Sequence, residues 1–284
     1  MQEAIYILSG SIATLVVFFF LRDFIVSQNI IRENYSGRKI PVLGGLVLVI
    51  AILGTAAIIN AFPNIETSST VPVALMFVSL GFSFLGLLDD LCGDKSSQGF
   101  KGHITAILSG KLTTGALKLF GGPIVAFIAL SSSISDRGYL EVLIAALTIA
   151  LFANTFNLLD LAPGRTTKYS LIVLVLLTIF SNTSYFVYLL IGSLAVSLVL
   201  DLREKYMLGD IGSNFIGSAI GFSFVASAEA RTVLIVFICL VVLNVVSEIF
   251  SYSKIIYKFI PLRYFDFLGQ NKARIEWVNA KYSQ

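Results

Sequence analysis

Charged residues are scarce in this chain. Asp, Glu, Lys and Arg make up 13% of its 284 residues, whereas hydrophobic residues make up 56%. Soluble domains carry about 25% charged residues, so this composition excludes an ordinary soluble protein. The apolar runs are long and unbroken rather than alternating, which excludes a membrane β-barrel and predicts an all-α, polytopic membrane protein.

Cysteine and histidine are nearly absent. The two cysteines are Cys92, in a predicted loop, and Cys239, inside an apolar run. A disulfide between them is therefore implausible, and no zinc-binding spacing exists. The single histidine, His103, follows Lys101 in a glycine-rich, basic loop. Lys101 and His103 are candidate substrate-binding residues, although a lone loop histidine is more often simply solvated.

Nine apolar segments are long enough to cross a bilayer, which takes about 20 residues. Glu3 and no basic stretch precede the first segment, so we interpret it as a retained span rather than a signal peptide. The whole chain, 1–284, is predicted to form a single membrane domain. Its basic and aromatic tail, 254–284, is predicted to lie in the membrane interface on the cytoplasmic side. The tail does not support a tenth span. The nine predicted spans are 4–21, 42–62, 71–88, 113–130, 139–156, 169–183, 185–200, 212–228 and 231–253.

Lys and Arg are distributed unevenly among the predicted loops. Of the 20 basic residues, 18 fall in or beside the first, third, fifth and seventh loops and the tail. Because basic loops stay in the cytoplasm, this distribution predicts an outside N-terminus and a cytoplasmic C-terminus. The aspartates discussed next would then all lie at cytoplasmic helix ends.

Two adjacent carboxylates, Asp89 and Asp90, close the third apolar run. Neighbouring carboxylates repel each other, and partial removal from water increases the cost of ionising both. The pair therefore points to a metal ion, a Lys or Arg partner, or a catalytic role. The simpler alternative is a solvated start of a loop.

Three polar residues end the fifth apolar run. Asn154, Asn157 and Asp160 are spaced by three, which brings them towards one face of a helix. Polar groups grouped on a membrane helix usually mark a functional site. Arg165, which follows them, is a candidate phosphate ligand.

Glycines accompany the acids in two further stretches. Asp210, Gly212 and Ser213 stand where a helix is predicted to begin, and free N–H groups there can bind phosphate beside a metal-binding carboxylate. Asp210 could instead be only a helix cap. Gly44 and Gly45 allow the close approach either of a ligand or of another helix.

Together these stretches indicate Mg²⁺-dependent transfer of a phosphorylated group at the cytoplasmic membrane surface. They also carry a resemblance to the polyprenyl-phosphate N-acetylhexosamine-1-phosphate transferases, glycosyltransferase family 4. The motifs that match, in the family's order, are Pro41-Val42-Leu43-Gly44-Gly45, Gly86-Leu87-Leu88-Asp89-Asp90, Asn154-Thr155-Phe156-Asn157-Leu158-Leu159-Asp160 and Met207-Leu208-Gly209-Asp210-Ile211-Gly212-Ser213.

The resemblance implies a role for each matching aspartate. Asp210 would bind Mg²⁺, with Mn²⁺ as an alternative, and one residue of the Asp89–Asp90 pair would act as general base on the prenyl phosphate. Asn157 and Asp160 would line the metal–pyrophosphate site.

The resemblance also implies a reaction and its partners. Polyprenyl phosphate would attack a UDP-sugar at the plasma membrane, UMP would leave, and the product would serve cell-wall or surface-glycan synthesis. Family members form homodimers, and no nucleic-acid partner is expected.

The sequence also departs from the family pattern. Leu161-Ala162-Pro163-Gly164 replaces a Gly-x-Asp-Gly motif, and a histidine-rich loop before the last span is missing. These departures describe a divergent member and leave open an inactive or regulatory relative that binds lipid phosphate. A transporter of lipid-linked sugars is a further alternative, although its ionisable residues would be expected nearer the membrane midplane.

Overall fold

The computed structural model describes residues 1–28, 30–42, 44–61, 73–93, 99–133 and 137–282, apart from the side chains of residues 100, 101, 103, 104 and 132. Within this part the chain forms helices and one pair of short strands. The strands are β1 (Ile31–Glu33) and β2 (Lys39–Pro41). The helices are α1 (Gln2–Ser27), α2 (Gly44–Ala61), α3 (Val73–Cys92), α4 (Gly99–Leu108), α5 (Thr114–Ser133), α6 (Tyr139–Leu159), α7 (Arg165–Phe180), α8 (Tyr185–Leu202), α9 (Gly209–Ser227), α10 (Ala230–Ile249), α11 (Tyr252–Lys258), α12 (Ile260–Phe267) and α13 (Lys272–Tyr282).

Seven of the described helices are long and apolar enough to cross a membrane, namely α1, α2, α3, α5, α6, α8 and α10. They confirm an all-α, polytopic membrane protein. The two other predicted spans also fold as helices, but α7 has only 16 residues and α9 is rich in glycine and serine. The count of nine spans and the orientation of the termini stay predictions.

A small β-hairpin between α1 and α2 is the main departure from the all-α prediction. Its strands pair antiparallel, with Arg32 opposite Ile40. The Asn34 side-chain oxygen accepts the N–H groups of Ser36 and Arg38, and Gly37 has a φ of 75°, as tight turns require. The hairpin brings Arg32 next to Asp90.

Helix α9 lies at the centre of the bundle. It packs against α3, α6 and α2, and every residue from Ile211 to Phe222 is buried. A side chain at Gly217 would lie 2.6 Å from the Ala153 Cα of α6, so the small residues of α9 permit close packing of the helix backbones. The same packing fixes the beginning of α9, where Asp210 lies.

The C-terminal tail forms three helices that pack against the bundle. Tyr252, Ile256 and Tyr257 of α11 and Val278 of α13 form a small apolar cluster with the end of α6 at Leu159. The predicted tail is therefore folded and docked. Its location in a membrane interface stays a prediction.

Candidate active site

The predicted aspartates come from three helix ends at one end of the bundle. Asp89 and Asp90 lie in the last turn of α3, Asp160 follows α6 directly, and Asp210 lies in the first turn of α9. Gly86 permits this arrangement, because a side chain there would lie 2.3 Å from the Asp210 carbonyl oxygen. Close packing of α3 on α9 thus brings Asp89 near Asp210.

Lys118 joins the two carboxylates. Its ammonium nitrogen donates to Asp89 Oδ2 at 2.9 Å and also to Asp210 Oδ2. Thr114, one turn earlier on α5, donates its hydroxyl to the other Asp89 oxygen. Lys118 is one of the 18 basic residues whose distribution predicts the orientation, and no site role was predicted for it. Its position just inside an apolar segment could have indicated a carboxylate partner, because a buried charge in a membrane helix is usually paired.

Asp90 points away from this cluster. Its side chain is only 2% exposed, and its Oδ2 accepts the N–H of Ile211 at 3.0 Å. A carboxylate here caps the first turn of α9 and stabilises the positive end of the helix dipole. Arg32 contacts Asp90 from the hairpin, with Nη2 donating to its backbone oxygen at 2.6 Å. Successive residues of a helix point about 100° apart, which separates the surroundings of Asp89 and Asp90.

Asn157 links α6 to α9. Its side-chain nitrogen donates to Asp210 Oδ2 at 3.3 Å, and the Ser213 hydroxyl donates to the Asn157 oxygen at 3.0 Å. The structure therefore brings Asn157, Asp210 and Ser213 together.

Asn154 lies apart from this group. It is exposed, and its side-chain nitrogen donates to the Asn244 side-chain oxygen of α10 at 2.6 Å. Three residues of a helix rotate by about 300°, so Asn154 and Asn157 are offset by roughly 60° and by one turn along the axis. That offset is enough for the two amides to reach different helices.

Asp160 is partly buried. Desolvation raises its pKa well above the usual range, and the negative charges of Asp201, Asp210 and Asp90 add to this effect. A carboxyl group with this surplus of negative charge nearby gains from the arrival of a cation.

Gly44 and Gly45 contact the protein backbone. Their N–H groups donate to the carbonyl oxygens of Met207 and Leu208, both at 2.8 Å. A side chain at Gly45 would lie 2.1 Å from the Gly212 nitrogen. These contacts favour helix packing, which the sequence left open, over ligand approach.

The remaining predicted residues lie outside the cluster or outside the described part. The backbone of Lys101 and His103 belongs to α4, but their side chains are among those not described. Arg165 is fully buried in an ion pair with Asp266, 2.7 Å from Nε to Oδ1. That pair, made with the C-terminal tail, was not predicted from the sequence.

Whether a metal ion fits this site depends on the side-chain oxygen atoms that could bind it. Among the described residues, no three side chains of Asp, Glu, His or Cys are grouped closely enough to hold a metal alone. Asp89 and Asp210 do share one cation, the Lys118 ammonium. Mg²⁺ is usually bound by one or two carboxylates together with substrate phosphates and water, so this donor set fits Mg²⁺.

A cavity of about 590 Å³ lies at the opposite end of the bundle. Its lining includes Thr178 of α7, Ser184 before α8 and Ser223 of α9, and none of the predicted site residues. The carboxylate cluster is separated from it by most of the length of α9. The cavity and the aspartate cluster are therefore separate features of the bundle.

Known proteins match the chain over most of its length. The sequence model of glycosyl transferase family 4 matches residues 72–228, more than half of the chain. A phospho-N-acetylmuramoyl-pentapeptide-transferase of Borreliella burgdorferi is 23% identical, with 88% of this chain and 82% of the relative aligned. Its counterpart in Clostridium perfringens is 26% identical, with 83% of this chain and 76% of the relative aligned. The chain therefore belongs to glycosyl transferase family 4, as a divergent member and a phospho-sugar transferase.

Proposed function

We propose that this protein transfers an N-acetylhexosamine-1-phosphate group from a UDP-sugar to polyprenyl phosphate, in cell-wall or surface-glycan synthesis. The observation that carries the proposal is the Asp89–Lys118–Asp210 cluster at one end of the bundle. Two carboxylates that share one ammonium group form a charged site of the kind that binds phosphates through cations. The family and the relatives named above give the proposal its reaction class.

Asp210 is the residue proposed to hold Mg²⁺, or Mn²⁺, and the Asn157 side-chain nitrogen donates to its Oδ2 at 3.3 Å. When bound, the ion neutralises the negative charge that would otherwise keep two phosphate groups apart. Asp160, which follows the end of α6, is proposed to line the metal–pyrophosphate site.

The proposed reaction is a substitution at phosphorus. An oxygen of polyprenyl phosphate forms a bond to the β-phosphorus of the UDP-sugar, and the bond from that phosphorus to the bridging oxygen breaks. The bridging oxygen leaves with UMP. Lys118 can stabilise negative charge on the phosphate oxygens. Asp89, whose side chain is 28% exposed, is proposed to accept the proton carried by the attacking polyprenyl phosphate. Asp90 supports the reaction by capping α9.

The setting of this reaction is part of the proposal. The distribution of basic residues supports nine spans, an outside N-terminus and a site that faces the cytoplasm across the plasma membrane. A homodimer is proposed by resemblance to the family alone.

A transfer assay with a panel of donors tests the proposal. Purified protein in detergent receives undecaprenyl phosphate, Mg²⁺ and labelled UDP-GlcNAc, UDP-MurNAc-pentapeptide or another UDP-hexosamine. We expect one donor to label the lipid with the wild type, and we expect Asp210→Asn to abolish the labelling. Asp23→Asn makes the same chemical change at an exposed position of α1 and should leave transfer unchanged. A well-folded wild type that labels lipid from none of the donors would favour an inactive relative.

A further inference from the structure

The C-terminal helices are hydrogen-bonded to the beginning of α7. Helix α7 directly follows residues 160–164, which we call the Asp160 loop. The Arg165 guanidinium binds both carboxylate oxygens of Asp266, at 2.7 and 3.0 Å. It also donates to the hydroxyls of Ser253, at 2.8 Å, and Tyr257, at 2.7 Å. Arg165, the first residue after the loop, therefore uses its guanidinium to bind α11 and α12.

A second basic residue repeats this attachment one turn later. The Lys168 ammonium donates to the carbonyl oxygens of Phe265 and Leu268, at 3.0 and 3.2 Å, where α12 ends. A cation is stabilising at this position because the carbonyl end of a helix is negative. The tail also contacts the loop itself, since Gln270 Nε2 donates to the Pro163 carbonyl oxygen at 3.2 Å.

The rest of the protein holds the loop from the other side. The Gly164 N–H donates to Asp201 Oδ2 of α8 at 2.7 Å. The Thr166 hydroxyl donates back to the Phe156 carbonyl oxygen of α6 at 3.3 Å. The loop is thus clamped between the bundle and the tail, and Asp160 is its first residue.

The tail has a second anchor, at Glu204. The Glu204 side chain is 2% exposed and accepts hydrogen bonds from Asn34 at 2.6 Å, Tyr35 at 2.9 Å and Asn271 at 2.8 Å. Asn271 belongs to the tail, whereas the other two donors belong to the hairpin that carries Arg32. The tail therefore reaches both the Asp160 loop and the hairpin beside Asp90.

We infer that residues 252–282 act as a positioning element of the active site, and that Asp266 is its main positioning residue. Acting through Arg165, Asp266 holds the Asp160 loop, which begins directly after α6 and one turn after Asn157, the residue that contacts Asp210. The catalytic part of this inference rests on the proposed function. It gives Arg165 a positioning role in place of the phosphate-binding role that the sequence suggested.

The test removes both buried charges together. Removal of one partner leaves an unpaired buried charge that can unfold the protein, whereas apolar replacement of both is often tolerated. The variant is therefore Arg165→Met with Asp266→Leu. Asp266→Glu, which keeps the negative charge for Arg165, is a second variant with a smaller expected effect. Arg263→Met removes a positive charge from the same helix, α12, outside these contacts, and serves as the matched control.

Two readouts are taken on the full chain. The first is transfer, for which we expect kcat to fall at least about tenfold while KM for the UDP-sugar stays within about threefold. A rise in KM with kcat unchanged would instead indicate that Arg165 binds phosphate, and would overturn the inference. The second readout is amide hydrogen exchange of residues 157–168, which should become at least about tenfold faster.

The inference requires both changes, with a melting temperature close to that of the wild type and an unaffected Arg263→Met control. A fall in kcat without faster exchange, or faster exchange without a fall in kcat, would overturn it. If the wild type transfers no phospho-sugar from any donor, the proposed function fails. Exchange alone then decides whether Asp266 clamps the loop.

Discussion

At the level of single residues, the adjacent aspartates Asp89 and Asp90 make different contacts. Asp89 faces Lys118, whereas Asp90 faces the backbone at the start of α9. The sequence placed both in one motif and could not separate them, because the separation depends on which helix each side chain meets. A motif of adjacent residues on a helix thus contains one candidate catalytic group and one structural group.

The first prediction contrasts these two aspartates. Asp89→Asn should lower transfer at least about 100-fold with little change in melting temperature, because the side chain lies at a partly open site. Asp90→Ala should lower stability by about 1–2 kcal/mol, since it removes the cap of α9. Transfer rates and thermal unfolding of both variants check this. The reverse pattern, with Asp90 needed only for transfer, would contradict the assignment.

The second prediction concerns Lys118. Lys118→Gln removes the cation shared by Asp89 and Asp210, so transfer should fall by about 100-fold or more. The two carboxylates would then face each other without a positive charge, and Mg²⁺ should raise the melting temperature more than it does in the wild type. Thermal unfolding with and without Mg²⁺ measures this difference. Lys111→Gln, on the exposed turn before α5, is the control for loss of a basic residue.

At the scale of elements, the apolar runs predicted the helices of the bundle well. Each of the nine predicted spans overlaps a helix in the described part of the chain, because a helix buried in a bundle or facing lipid needs a long apolar stretch. The hairpin and α4 were missed, since short polar segments depend on tertiary contacts such as those of Glu204. The fit of Asp266 to Arg165 was missed for the same reason, as no local pattern joins residues so far apart in the chain.

The third prediction tests the packing of α2 on α9. Gly45→Val should destabilise the protein by about 1–3 kcal/mol and reduce transfer, because a side chain there meets the backbone of Gly212. Gly54→Ala in the same helix is the matched control, since nothing lies within 4 Å of the added methyl group. It should be neutral or stabilise by up to about 1 kcal/mol. Equal melting temperatures for Gly45→Val and the wild type would refute the packing role.

At the scale of the whole molecule, the two natural cysteines allow the orientation to be tested. Cys92 is exposed at the end of α3, and Cys239 is exposed in the middle of α10. With the N-terminus outside, a membrane-impermeant maleimide should label Cys92 only after the cells are opened. Cys239, at bilayer depth, should stay unlabelled in both cases.

An outside position provides the control for this labelling. Tyr139 is 88% exposed at the beginning of α6, at the end of the bundle opposite to Asp210. Tyr139→Cys combined with Cys92→Ser should be labelled in intact cells. Labelling of Cys92 in intact cells, with Tyr139→Cys protected, would invert the orientation and move the aspartate cluster to the outer face.

We propose that the Asp89–Lys118–Asp210 cluster performs a metal-dependent transfer of a phospho-sugar to a lipid phosphate. Its most direct measurement is lipid labelling after chelation by EDTA and after return of Mg²⁺ or Mn²⁺, for the wild type, Asp210→Asn and Asp23→Asn. We expect labelling to stop with EDTA and to return with the metal in the wild type and in Asp23→Asn, but not in Asp210→Asn. Labelling that persists in EDTA, or returns fully in Asp210→Asn, would contradict it.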